Sequence, residues 1–485
     1  MKLDDVIPGA SATPVTNLAY ATTQVTPGSL FFCVRGFTRD GHDFAEEAIG
    51  KGAVALVVDH PLNLGVPEVV VDNVRDAMAP AAANFYKDPT RDLHIVGVTG
   101  TNGKTTTAFL VRDLLEADHR QTGLLGTVKS IIGGETHEVV RTTPEAIDLQ
   151  RTFRQMLDQG DRAAVMEVSS HALELHRADA IHFAAAIFTN LTQDHLDFHP
   201  TMEDYFHAKR KLFVDLTPRH SIINVDDPYG KRLAEELGSD AITFALDDAT
   251  AAYRATDIDI TLTGSTFTAR TPDGEIKLTS PLRGRFNVYN VLGAFAVARA
   301  LDVPPETAAR AVETAGEVPG RFEAVDEGQD FAVIVDYAHT PDSLENVLRA
   351  ARGLTDKRVI VVFGAGGDRD RGKRPLMGEI ASRLADETIV TSDNPRSEDP
   401  SSIIGEILAG AKPGTPHDAD RRAAIAEAIR TARPGDVVVI AGKGHEQGQE
   451  FENGRKVPFD DVTVARDALK SAAIPGLRRP YSAAQ

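Results

Sequence analysis

Cysteine is nearly missing from this chain: among 485 residues only Cys33 carries a thiol. That excludes an intrachain disulfide framework and any cysteine-rich zinc site, and it fits a reducing compartment. Cys33 itself, inside the apolar run Leu30–Val34, reads as a small buried side chain. Positive charge is short as well. Lys and Arg total 52 against 71 Asp and Glu, a formal net charge of −19. The average field repels polyanions, so neither nucleic acid nor an anionic membrane surface is an expected partner. Any phosphate the chain handles must be gripped by a few local cations and backbone amides. Long apolar runs are lacking too, since none reaches the roughly 20 residues of a membrane-spanning helix. The opening Met1-Lys2-Leu3-Asp4-Asp5 has no basic segment leading into an apolar one, so no signal peptide is expected. The expected location is the cytoplasm, without membrane insertion.

What is present is an ordinary globular composition, 42% hydrophobic and 25% charged, which leaves length to set the domain count at two to four. Up to about Pro89, short apolar runs such as Ala53–Val58 and Val69–Val71 alternate with helical patches. Strands are expected at His94–Val98, Ala163–Val168, Ala184–Thr189 and Ser221–Val225, separated by helical stretches; that alternation predicts a parallel, doubly wound sheet. Between Ala251 and Leu282 the pattern turns hairpin-like around Gly264 and Pro272-Asp273-Gly274. From Glu323 the alternation restarts, with buried strands expected at Ala332–Asp336, Arg358–Phe363, Glu387–Thr391 and Asp436–Ile440. The fold class is therefore α/β with three domains, 1–89, 90–319 and 320–485.

The strongest local signal is Val98-Thr99-Gly100-Thr101-Asn102-Gly103-Lys104-Thr105-Thr106, between an expected strand and a helix at Thr105–Leu115. Glycines let the backbone curl so that N–H groups face a polyphosphate, while the helix N-terminus and Lys104 supply positive charge. Thr105 or Thr106 can offer a hydroxyl to Mg²⁺. The longer glycine pattern would need glycine where Val98 stands, so the motif is the shorter Gly100-x-x-Gly103-Lys104-Thr105. A nucleoside triphosphate is the expected ligand.

A phosphate loop does not choose a reaction. Met166-Glu167-Val168-Ser169-Ser170-His171 and Thr189-Asn190-Leu191-Thr192-Gln193-Asp194-His195 follow further expected strands, placing oxygen and imidazole ligands where Mg²⁺ could sit. A hydrolase reading with Ser169 or Ser170 as nucleophile lacks the glycines of a nucleophile elbow. The run Gly364-Ala365-Gly366-Gly367 fails as a dinucleotide fingerprint because its third glycine position is Arg369.

Together these residues resemble the Mur ligases, with motifs in all three proposed domains and in family order. The resemblance implies an N-terminal UDP-binding domain, a central ATPase domain and a C-terminal Rossmann-like domain for an incoming amino acid. It also implies that the phosphate loop Gly100–Thr106 binds ATP, that Thr105, Glu167, His195 and Lys209 hold magnesium, and that Lys209 does so as a carbamate. Lys104, Glu167, His195 and Lys209 would be the catalytic set. Asn287, Asn290, Arg321, Asp336 and His339 match nucleotide-side positions. Thr142, Thr143, Ser169 and Arg177 match contacts to a UDP-linked acceptor. Thr22 stands in Ala21-Thr22-Thr23, where many members have Asp-Ser-Arg, and Leu175 replaces a common glutamine.

The amino acid is indicated by Asp393-Asn394-Pro395-Arg396, which in the family goes with meso-diaminopimelate, whereas lysine-adding relatives lack the arginine. Diaminopimelate carries an extra carboxylate, and an arginine fork can bind it. Arg369, Gly442 and Glu446 match the remaining contacts. The implied partners are UDP-N-acetylmuramoyl-L-alanyl-D-glutamate and meso-2,6-diaminopimelate, acted on by a monomer. Other readings are a lysine-adding or folylpolyglutamate-type ligase, and a regulatory P-loop ATPase with no amino-acid requirement.

Overall fold

The computed structural model describes residues 1–472; the end of the expected C-terminal domain, 473–485, lies outside the described residues. Three parallel or mostly parallel sheets follow one another along the chain. Asn17–Ala19, Ser29–Phe32, Ala53–Val58 and Glu68–Val70 form an all-parallel sheet of four strands. The two central strands, Ser29–Phe32 and Ala53–Val58, are almost wholly buried because apolar clusters cover both faces, one built on Leu30, Phe32 and Val57 and the other on Phe31, Cys33 and Leu56.

The second sheet has eleven strands, and His94–Thr99 lies inside it between Ala163–Glu167 and Phe183–Phe188, parallel to both. The register sets Val98 beside Glu167 and Thr99 beside Phe188, so the phosphate loop and both polar clusters leave the same sheet edge. Strands 221–224, 241–245 and 253–261 continue the sheet on one side, and the expected hairpins end it as antiparallel Gly264–Thr271 and Gly274–Ser280. On the other side stand Thr122–Leu125, Ser130–Ile132 and Glu135–His137, too short and mixed in pattern to be expected from the sequence.

The third sheet runs in the order Glu323–Ala324, Ala332–Asp336, Val437–Ala441, Val359–Phe363, Glu387–Thr391 and His417–Asp418, parallel except at its first strand. Val359–Phe363 is buried at every residue because helices pack on both faces. Among the described residues no helix is long and apolar enough to cross a membrane.

Candidate active site

The phosphate loop is shaped by what surrounds it. A Cβ on Gly100 would lie 1.9 Å from Thr189 Oγ1, and one on Gly103 would lie 2.4 Å from Asn290 Oδ1. Both glycines also have positive φ, at +147° and +85°, so no larger residue fits. The amides of Thr101 and Asn102 donate to the Asn190 carbonyl and side chain at 2.9 Å each. The phosphate cradle is thus narrower than the sequence implies: the orphan amides are those opening the helix Lys104–Ala117. Lys104 Nζ folds back on the carbonyls of Gly100 (2.9 Å) and Thr101 (2.8 Å), and burial lowers its pKa. The helix Arg285–Ala300 backs this loop. Its Asn290 accepts from Thr107 Oγ1 (3.3 Å) and donates to Asn287 (2.9 Å).

Lys209, on the helix Met202–Val214, is fully buried, and its Nζ donates to the same Gly100 carbonyl at 2.9 Å. Burial, and then the neighbouring Lys104, hold its pKa well below the ordinary ammonium value. Nζ also lies 4.7 Å from the centre of the Tyr205 ring, one turn away. Glu167, at the end of its strand, is buried and accepts from the Thr127 amide (2.8 Å) and hydroxyl (3.0 Å). His195 adopts a left-handed backbone (φ +54°), sits edge-on to His171 at 4.9 Å, and is pushed by burial down to a pKa of about 4. Its imidazole is neutral at pH 7, the form that can offer a lone pair.

The third domain docks directly on this loop. Arg321 Nη2 donates to Thr105 Oγ1 at 3.2 Å, its guanidinium lies 4.4 Å over Tyr337, and Asp342 accepts from Asn102 (2.8 Å) and Thr192 (3.0 Å). Between the two domains lies a cleft of about 310 Å³. Its central-domain wall includes His171, Asp194 and His195; the opposite wall includes His339, Arg369, Asn394, Arg396 and Glu446. Arg396 has φ +51°, donates through Nη1 to the Gly367 carbonyl (2.7 Å) and through Nε to Glu450 (3.1 Å), and lines the cleft. Arg369 is exposed at the cleft mouth, while Asp393 and Gly442 line its floor.

Other expected residues lie around this cleft. Asp336 accepts from the Phe322 and Ala338 amides (2.8 Å each), so it fixes the turn carrying Arg321; burial raises its pKa to about 6. Pro395 is buried behind Asn394 and is not part of the cleft lining. Thr142 meets Thr127 (3.0 Å), and Thr143 donates to the Glu167 carbonyl (2.8 Å) and to Ser169 (3.3 Å). Arg177 donates to the Thr143 carbonyl (3.3 Å) and pairs with Glu145 (3.0 Å). Ser169 and Ser170 stand past the strand, not on it. Ser169 caps the following helix, and Ser170 meets His199 (2.9 Å) instead of His171. Thr22 lies apart from the cleft, in the N-terminal turn Thr22–Gln24, where its carbonyl accepts from Lys51 (3.3 Å).

Sequence reasoning did not single out Thr127, Tyr205 or Asp342. Tyr205 had a signal, its four-residue spacing from Lys209 on one helix; Thr127 and Asp342 act across long sequence separations and had none. His42, Asp59 and His60 also cluster in the N-terminal domain. There Arg35 clamps Asp59, and the His42 Nε2 lone pair accepts the Asp59 amide (3.2 Å), so the group satisfies itself.

Three family models match successive segments of the chain. Residues 14–93 match the model of the Mur ligase family catalytic domain, 98–298 that of the Mur ligase middle domain, and 320–444 that of the Mur ligase glutamate ligase domain. The chain is 47% identical over 463 residues to the UDP-N-acetylmuramoyl-L-alanyl-D-glutamate–2,6-diaminopimelate ligase of Bacillus licheniformis, covering 94% of each. It is 48% identical over 466 residues to the ligase of the same name from Geobacillus thermodenitrificans, covering 94% of this chain and 95% of that one. A solved structure of a ligase bearing that name superposes with a TM-score of 0.72 at 33% identity, covering 97% of this chain and 99% of the other. At such identity across nearly its whole length, the chain belongs to the Mur ligase family.

Proposed function

We propose that this chain is an ATP-dependent ligase that joins meso-2,6-diaminopimelate to the D-glutamyl γ-carboxylate of UDP-N-acetylmuramoyl-L-alanyl-D-glutamate, in cytoplasmic peptidoglycan precursor synthesis. The carrying observation is the shared cleft: Arg321 reaches Thr105 of the phosphate loop from the same domain that presents Arg369, Asn394, Arg396 and Glu446. Relatives named for this reaction, 47% and 48% identical, support it.

In this reading the terminal phosphates of ATP rest on the amides from Gly103 to Thr106, facing Lys104 and Arg321. Asn287, Asn290, Asp336 and His339 complete the nucleotide side. Thr142, Thr143, Ser169 and Arg177 orient the acceptor, with Thr22 on its uridine side. The γ-carboxylate attacks the γ-phosphorus and ADP leaves; positioning and charge neutralisation drive this step. The diaminopimelate amine then attacks the acyl carbon, loses a proton, and phosphate departs. Glu446, held by Asn394, faces the amino acid's ammonium, and Arg396 with Arg369 faces its far carboxylate. Enclosure between two domains keeps water from the acyl-phosphate.

Mg²⁺ fits the donor set. Burial and a neighbouring lysine both disfavour the ammonium form of Lys209, which suits capture of CO₂ as a carbamate. Thr105, Glu167, His195 and carbamylated Lys209 would hold the ion, which supplies charge neutralisation at the transferring phosphate.

The test is phosphate release with ATP and the UDP-linked dipeptide, alone, with meso-diaminopimelate and with L-lysine. Release that requires diaminopimelate is expected. Hydrolysis indifferent to any amino acid would mark a regulatory ATPase, and equal use of lysine would mark a lysine-adding enzyme.

A further inference from the structure

Lys443 is wholly buried and is not part of the cleft lining, yet two residues that are, Asn394 and Glu446, close around its ammonium. Nζ donates to Asn394 Oδ1 at 2.8 Å and to Glu446 Oε2 at 3.0 Å, and lies 3.7 Å from Asp393 Oδ1. Asn394 Oδ1 also accepts the Glu450 amide at 2.9 Å. With two donors on its oxygen, the Asn394 amide has one possible orientation, and its Nδ2 donates to Glu446 Oε2 at 2.8 Å. One carboxylate oxygen of Glu446 is thereby held by two donors while the residue still faces the cleft.

The surroundings keep this arrangement rigid. Arg421, fully buried and paired with Asp461, donates to the carbonyls of Ser392 (3.3 Å) and Ala441 (3.0 Å), tying together the two strand ends that carry Asn394 and Lys443. Gln449 donates to the Asp393 carbonyl at 2.8 Å. A buried ammonium is costly, and a well-packed apolar side chain often replaces one without loss of stability. Stability alone therefore gives little reason for a lysine here.

We propose that Lys443 is a positioning residue for the incoming amino acid: its ammonium, with Asn394, locks Glu446 so that the second carboxylate oxygen receives the substrate's own ammonium. This rests on the ligase reading above. Without Lys443, Asn394 Oδ1 keeps only the Glu450 amide, Glu446 Oε2 keeps only Asn394, and Glu446 and Asp393 lose the cation they share.

The experiment measures steady-state kinetics of the full chain as wild type, Lys443→Met and Lys443→Gln, with thermal unfolding recorded in parallel. Hydroxylamine serves as a second amine: it captures the acyl-phosphate as a hydroxamate, releasing phosphate, and has no groups for the amino-acid pocket to grip. Lys443→Met is expected to raise KM for diaminopimelate about ten-fold or more, with KM for ATP and the hydroxylamine reaction changed no more than about two-fold. Lys443→Gln keeps a donor without the charge and is expected to raise the same KM by a smaller factor; it decides the matter if the methionine variant does not fold. An unchanged KM for diaminopimelate in the folded variants overturns the proposal, as does an equal loss with both amines. If the wild type forms no hydroxamate, the acyl-phosphate reading fails instead.

Discussion

Replacing Arg396 by alanine separates recognition of the amino acid from activation of the acceptor. The side chain is only 23% exposed, and protein atoms already take two of its three nitrogens, Nε toward Glu450 and Nη1 toward the Gly367 carbonyl. What remains wholly for substrate is Nη2, short of a full two-bond fork. A charge-assisted hydrogen bond of that kind contributes about 1.5–3 kcal/mol, so kcat/KM for meso-diaminopimelate should fall roughly ten- to 150-fold. Glu450, 34% exposed, loses a partner it can replace with water, so little is added on that account. L-Lysine has no distal carboxylate, and its kcat/KM should change no more than about three-fold, so the preference between the two collapses. Arg396→Lys keeps the charge but loses the planar fork and should fall between wild type and alanine. The assay is coupled ADP formation with each amino acid at saturating ATP and acceptor. An equal loss with both substrates, or none with diaminopimelate, would refute the assignment of Arg396 to the distal carboxylate.

Three other outcomes are expected. Lys209→Ala should lower turnover by about two orders of magnitude, the scale of losing one preorganised charge partner, and added short carboxylic acids should recover part of it; near-normal turnover would sink the carbamate. Asp461→Ala leaves Arg421 charged with neither side chain exposed to solvent, and should cost about 3–5 kcal/mol in urea unfolding, while joint replacement by apolar residues should recover most of it. Burial holds His199 at a pKa of about 4, below the ordinary imidazole value of 6.5. Between those values the unfolded chain binds more protons, so this contribution is complete above pH 6.5 and shrinks as pH falls toward 4, by up to about 1.4 kcal/mol per pH unit. His199→Gln should flatten that limb of the stability profile, and an unchanged slope would contradict the assignment.

Strands buried on both faces were legible in the sequence because nothing interrupts their apolar runs. Ala332–Asp336 and Glu387–Thr391 run as expected, His94–Val98 gains Thr99 at its end, and Asp436–Ile440 is displaced by one residue to Val437–Ala441. The three-stranded margin from Thr122 to His137 was not legible, because its strands are three or four residues long and one is fully exposed. The phosphate loop was legible because its chemistry is local to seven residues. What the sequence could not give were partners far apart in the chain: Thr127 holding Glu167, Asp342 reaching Asn102, and Lys443 fixing Asn394. These pairings are set by how sheet edges and domains meet, and a linear motif carries no trace of them. Nor could spacing reveal that Asn190 already takes the Thr101 and Asn102 amides and so narrows the phosphate cradle.

The central claim is that phosphate first bonds to the acceptor's acid and is then displaced by the amine. It is tested most directly by labelling the D-glutamyl γ-carboxylate with ¹⁸O and analysing the phosphate released in the presence of ATP and meso-diaminopimelate. The account predicts one labelled oxygen in each phosphate formed. Unlabelled phosphate accompanying amide formation would contradict it.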